Sequence, residues 1–70
     1  MLFFTESLTG GKVAVNPVNI VAVYTVTADP ANSATLQLAG KTAIGVTNGS
    51  IVVNEPFDDV VAVVSKVLSL

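Results

Sequence analysis

The sequence predicts a mainly β domain: a small, five-stranded, strongly bent barrel with one C-terminal α-helix. Three observations predict it. Short stretches of alternating polar and apolar residues recur along most of the chain, each bounded by Gly, Pro, Asn or Asp. Asn48-Gly49 lies between two β-branched stretches, the strongest short-range signal of a hairpin. From Pro56 onwards the apolar period changes from two residues to about 3.6.

Each element has its own reason. Residues 2–7 form the first predicted strand, given β character by Phe3 and Phe4. Thr9-Gly10-Gly11 is a turn, and the alternation of residues 12–16 makes the second strand of a hairpin. Asn16-Pro17-Val18-Asn19 then breaks the sheet, because Pro lacks an amide donor and restricts the residue before it. A short helical turn or tight loop is expected there.

Residues 20–28 are the longest strand candidate. Ile20, Ala22, Tyr24, Val26 and Ala28 fall on one face, and Val21, Val23, Thr25 and Thr27 on the other. Both faces are apolar near Val21 to Val23, which predicts cover on both sides at that end. Asp29-Pro30-Ala31-Asn32-Ser33 reads as a hairpin loop. Residues 34–39 alternate again, Leu36 and Leu38 against Thr35 and Gln37. They open a strand over about 34–47, with a bend near 40 at Gly40-Lys41.

Asn48-Gly49 is expected to form a type I′ turn, with positive φ at both positions. The last strand follows at 50–54, and Glu55-Pro56 turns the chain from sheet to helix. The helix covers about 56–68. Phe57, Val60, Val61, Val64 and Leu68 make its apolar stripe, opposite Asp58, Asp59, Ala62, Ser65, Lys66 and Ser69. Pro56 suits the first helical position, and Asp58, Asp59 and Lys66 complement the dipole.

Composition bounds the function. Hydrophobic residues are 51% of the 70 and charged residues 11%, against about 25% charged in ordinary soluble domains. A chain of this size hides only about 60–65% of its unfolded surface. Disulfides, metals or partner subunits usually supply the missing stability. The chain has no Cys and no His, and its five acidic residues lack calcium-loop spacing. Partner subunits remain, so a single domain that self-assembles is expected.

No apolar run approaches the roughly 18–20 residues of a membrane span. The stretch from Met1 to Phe4 is too short for a signal peptide, so a soluble, cytoplasmic protein is expected. Net charge is −2, with three Lys, no Arg and five acids. That argues against a monomer gripping nucleic-acid phosphates, although a ring would repeat the same lysines around its axis.

Motifs that imitate catalytic sites fail on inspection. Gly40-Lys41-Thr42 resembles the end of a phosphate-binding loop, but Thr35 stands where the first Gly belongs and a strand is predicted to follow. Leu8-Thr9-Gly10-Gly11-Lys12 has Val13 in place of the required hydroxyl. Asp58 and Asp59 point about 100° apart on a helix and do not converge on one proton or ion. No residue pairs a nucleophile with a base, so no enzyme, cofactor or metal is expected. Asn48-Gly49-Ser50 has glycosylation spacing, which means nothing without secretion.

Asn16, Asn19, Asn32, Asn48 and Asn54 each lie at a predicted strand end. Turn and cap service is a sufficient account of them. The alternative is that several project from one end and, multiplied by symmetry, form a polar ring holding single-stranded bases.

The order of strands and turns resembles the Sm-like small β-barrels, which are SH3-like in fold. Leu-Phe-Phe-Thr-Glu-Ser, Val-Ala-Val-Asn-Pro, Thr-Asn-Gly-Ser-Ile-Val-Val and the trailing Val-rich helix resemble short Sm-like (LSm-type) proteins of cyanophage origin found in marine metagenomes. The resemblance implies a homo-oligomeric ring of about five to seven copies, joined through edge strands, in the cytoplasm of a bacterial host. It also implies binding of RNA or single-stranded DNA through the loops at 16–19 and 48–49. Asn16, Asn19, Asn48 and Gly49 would contact bases, with Lys12 and Lys41 as phosphate partners. Asn48 stands where many Sm proteins carry Arg, and the helix is C-terminal where theirs is N-terminal. Neither loop holds an aromatic residue to stack a base. The competing expectation is an adaptor ring that docks a protein and binds no nucleic acid.

Overall fold

Alternation is strong enough to form two antiparallel sheets in the computed structural model, which describes residues 1–68. Strand β1 (Leu2–Thr5) pairs with β2 (Lys12–Val15), as the Gly10-Gly11 turn requires. A 3-10 turn (Pro17–Asn19) leads into β3 (Ile20–Thr25), which pairs with β4 (Thr42–Val46); β4 also pairs with β5 (Gly49–Val53). Helix α1 (Ser33–Leu38) lies between β3 and β4, and α2 (Phe57–Leu68) ends the described chain.

The two sheets meet at one seam. Glu6 bridges to Val53, the Ser7 amide donates to the Val52 carbonyl at 2.9 Å, and the Asn54 amide donates to the Thr5 carbonyl at 2.9 Å. Strand order across the seam is therefore β2-β1-β5-β4-β3, which leaves β2 and β3 as the outer strands. Beside the seam, the Thr5 amide donates to both carboxylate oxygens of Glu55, at 2.9 and 3.0 Å. A carboxylate accepting from an amide makes a bond stronger than a neutral pair. It fixes the point at which the chain leaves the sheet for α2.

The core lies between the sheets and under α2. Leu2 and Phe4 from β1, Val15, Ile44, Val53, and Val60 and Val64 from α2 form one buried cluster. Thr42 is buried among them, and its hydroxyl donates to the Glu55 carbonyl at 2.8 Å. Among the described residues every buried side-chain N or O has a partner, as burial of polar groups demands.

Strict alternation fails in β3, for a definable reason. Ile20 pairs with Val46 and Ala22 with Gly45, so Val21 is an extra residue, a β-bulge. The bulge moves Ile20 off the face of Ala22 and Tyr24 and onto the core face with Val23. Val21 itself is 75% exposed, so the predicted double cover is absent at this point.

Residues 34–39 are a correction. They begin no strand; Ser33–Leu38 is helical. Ala, Leu and Gln are good helix formers, and a chance alternation over six residues does not outweigh them. The Thr35 hydroxyl fixes the helix start. It accepts from the Asp29 amide at 2.8 Å and donates to the Asn32 carbonyl at 2.7 Å. Gly40, at φ +85°, ends the helix in the left-handed region, so it is a helix stop and no bend in a strand.

The hairpin between β4 and β5 forms, but one residue earlier than expected. Val46 pairs with Gly49, which makes Thr47 and Asn48 the central residues, and neither has positive φ. Only Gly49 leaves the ordinary region, at φ +153°. The cost of a positive φ at Asn48 is thereby avoided, since the residue without a side chain carries it.

In α2, Val60 and Val64 are buried and Asp58, Asp59, Ala62, Ser65 and Lys66 exposed, as the stripe predicts. Phe57 departs from it and is 39% exposed at the first helical residue. The side chain of Leu68 and all of Ser69 lie outside the described residues.

Candidate nucleic-acid interface

The Asn16-Pro17 sequence builds this end of the molecule. The Asn16 side chain accepts from the Val18 amide at 3.2 Å and caps the 3-10 turn, with Pro17 at its first position. The Asn19 amide returns to the Asn16 carbonyl at 2.9 Å, which closes the turn. Its own carbonyl then accepts from the Thr47 amide at 3.1 Å, tying the turn to the β4–β5 hairpin.

A shallow depression of about 230 Å³ forms between the two turns, lined by Asn19, Val46, Thr47 and Asn48. Asn16, Asn19, Asn48 and Gly49 are all exposed here. Four of the six predicted site residues therefore gather at one end.

The two lysines do not join them. Lys12 opens β2 opposite Thr5, at the far end of the strand from Asn16. Lys41 precedes Thr42, separated from the hairpin by the length of β4, about 13 Å at strand rise. Its ammonium donates to the Asn54 side-chain oxygen at 2.9 Å, which also accepts from the Ser7 hydroxyl at 2.9 Å. The Asn54 amide in turn reaches Thr5, so Lys41 is tied to the seam, and Lys12 lies one strand away from it, opposite Thr5. Neither lysine lines the depression between the asparagine turns.

The five asparagines divide accordingly. Asn16, Asn19 and Asn48 share an end, Asn54 serves the seam, and Asn32 lies in the connection before α1. Gly40-Lys41-Thr42 follows a helix and opens a strand, the reverse of a phosphate loop. Among the described residues no three of His, Cys, Asp or Glu gather as a metal site. No described helix is long and apolar enough to cross a membrane.

One feature was not anticipated from the pattern: a larger concavity on the outer face of the three-stranded sheet, under α1, with Tyr24 in its lining. Its only sequence signal is an aromatic residue beside Thr25 and Thr27 in a strand that needs no further core residue. Comparison of the chain with protein-family models, curated proteins and solved structures finds no match.

Proposed function

We propose that the chain is a non-enzymatic, Sm-like small barrel that assembles into a homo-oligomeric ring and holds RNA or single-stranded DNA at its asparagine end. The observation that carries the assembly is the pair of outer strands. β2 and β3 each have one neighbour, so each presents an unpaired backbone edge to a further strand. A head-to-tail contact between two different edges closes into a ring when its rotation allows.

Exposed apolar surface supports the same reading. Val18, Val21, Phe3, Leu8 and Leu36 are among the exposed large side chains, and Phe3 is 67% exposed. The accessible surface is 4534 Å², against about 4,100 Å² for a compact monomer of this mass. Burial between copies would remove that excess.

For nucleic acid, the support is the gathering of Asn16, Asn19, Asn48 and Gly49 at exposed turns, where amides can meet base edges. Size-exclusion chromatography with light scattering should return a mass several times that of one chain. Val21→Lys, which places a charge on the β3 edge, should lower that mass while the chain stays folded. Fluorescence anisotropy with short labelled RNA and single-stranded DNA should show salt-sensitive binding at micromolar protein. A monomer at high concentration would remove the ring.

The distance of Lys12 and Lys41 from the asparagine turns favours a second reading, an adaptor ring that docks a protein through its apolar surface. A nuclease-resistant protein partner, with no nucleic acid bound, would select it.

A further inference from the structure

The concavity under α1 has the makings of a ligand site, and nothing in the ring or the asparagine end enters the argument. Its volume is about 510 Å³, within the range of roughly 300–1,000 Å³ typical of small-molecule sites. The floor is one register row of the sheet, Tyr24, Ala43 and Val52, on the face turned away from the core. Thr35 and Leu38 of α1 form a wall, and the loop carrying Asp29 and Asn32 forms the rim.

The chemistry of this lining is selective. No Lys or Arg lines it and one carboxylate, Asp29, does, which disfavours phosphate-bearing ligands. Asp29, Asn32 and Ser50 border an apolar floor, which is too short for a lipid chain. Tyr24 is 48% exposed, so part of its ring is open to contact. An aromatic face packs against aliphatic C–H groups, because its negative quadrupole meets their weakly positive hydrogens. A carboxylate can accept from two neighbouring hydroxyls at once.

A C–H face bordered by hydroxyls describes one class of molecule. We propose that this concavity binds a neutral sugar ring, its flat face on Tyr24 and its hydroxyls on Asp29 and the surrounding polar groups. The site is preorganised: the Asp29 side chain accepts from the Ala31 amide at 3.0 Å, and Thr35 holds the loop at both ends.

An NMR titration of the full chain with glucose, galactose and N-acetylglucosamine tests this, with adenosine monophosphate as an anionic comparison. A sugar should shift the amides of Tyr24, Thr25, Asn32 and Ser50 saturably at millimolar concentration and leave Asn19 and Asn48 unmoved. Tyr24→Leu, which keeps bulk without the ring, and the near-isosteric Asp29→Asn should each weaken binding about tenfold or more. Either variant suffices if the other fails to fold. No saturable shift with any of the three sugars would overturn the proposal. So would a response of these amides to adenosine monophosphate alone.

Discussion

Strand β4 is joined to its two neighbours in opposite ways, and the contrast explains much of the molecule. On one side two residues, Thr47 and Asn48, return the chain to β5. On the other, residues 26–41 separate β3 from β4 and include a helix. The short connection fixes register and leaves only a shallow depression beside it. The long one adds nothing to strand pairing beyond Val26, whose amide and carbonyl reach Lys41 and Gly40. What it adds is a wall and a rim, and with them a concavity. A connection longer than the geometry requires is where binding surfaces are commonly built.

The largest test of this contrast removes what both sides share. Ile44 lies mid-strand in β4, between Val23 and Ile51, and is 0% exposed. Ile44→Ala should cost about 2–5 kcal/mol, close to the whole stability of a domain this small. Urea denaturation would show an unfolded or barely folded chain. Ile44→Val should cost about 0.5–1.5 kcal/mol and stay measurable.

A smaller effect separates the two sides. Gly49→Ala puts a side chain at φ +153°, at a cost of about 1–3 kcal/mol. The denaturation midpoint of the whole domain should fall, because the hairpin register feeds the core. Gly40→Ala, at φ +85°, should cost about 1–2 kcal/mol. Its effect should concentrate on amide exchange in 33–41 and leave that of β5 nearly unchanged. Equal loss of protection in β5 would mean that α1 supports the sheet, which the contrast denies.

The smallest effect sharpens the account of the long connection. Thr35→Val deletes the hydroxyl that the Asp29 amide donates to, a loss of about 1 kcal/mol. Hydrogen exchange at Asp29 should quicken while Thr47, bonded to Asn19, keeps its protection.

The same contrast decides what the sequence made legible. Hairpins form at both places the turn residues mark, Gly10-Gly11 and Asn48-Gly49, but the second turns one residue early on Thr47-Asn48 and not by the positive-φ pair its sequence announces. The helical period of Val60 and Val64 was readable despite the low helix propensity of Val, since burial on one face outweighs it. Residues 34–39 satisfy an alternating template by accident, whereas the helix at Ser33–Leu38 is fixed by contacts of the Thr35 hydroxyl with the backbone of Asp29 and Asn32, which no pattern marks. The bulge at Val21 carries no mark in a run of apolar residues.

At the candidate site, four residues could be grouped from their turns. Separating Lys12 and Lys41 from them required the seam, a contact between the two ends of the chain. The concavity leaves no mark in the sequence, since its wall is a helix whose residues alternate like a strand.

The bond between Thr5 and Glu55 spans fifty positions of sequence. Contacts that distant form late, because closing so large a loop costs entropy before any contact repays it. The first hairpin therefore has nowhere to settle while a ribosome has yet to make the residues around Glu55. Until Glu55 emerges, its greasy inner side must wait in water, and any shortened product should be prone to clump.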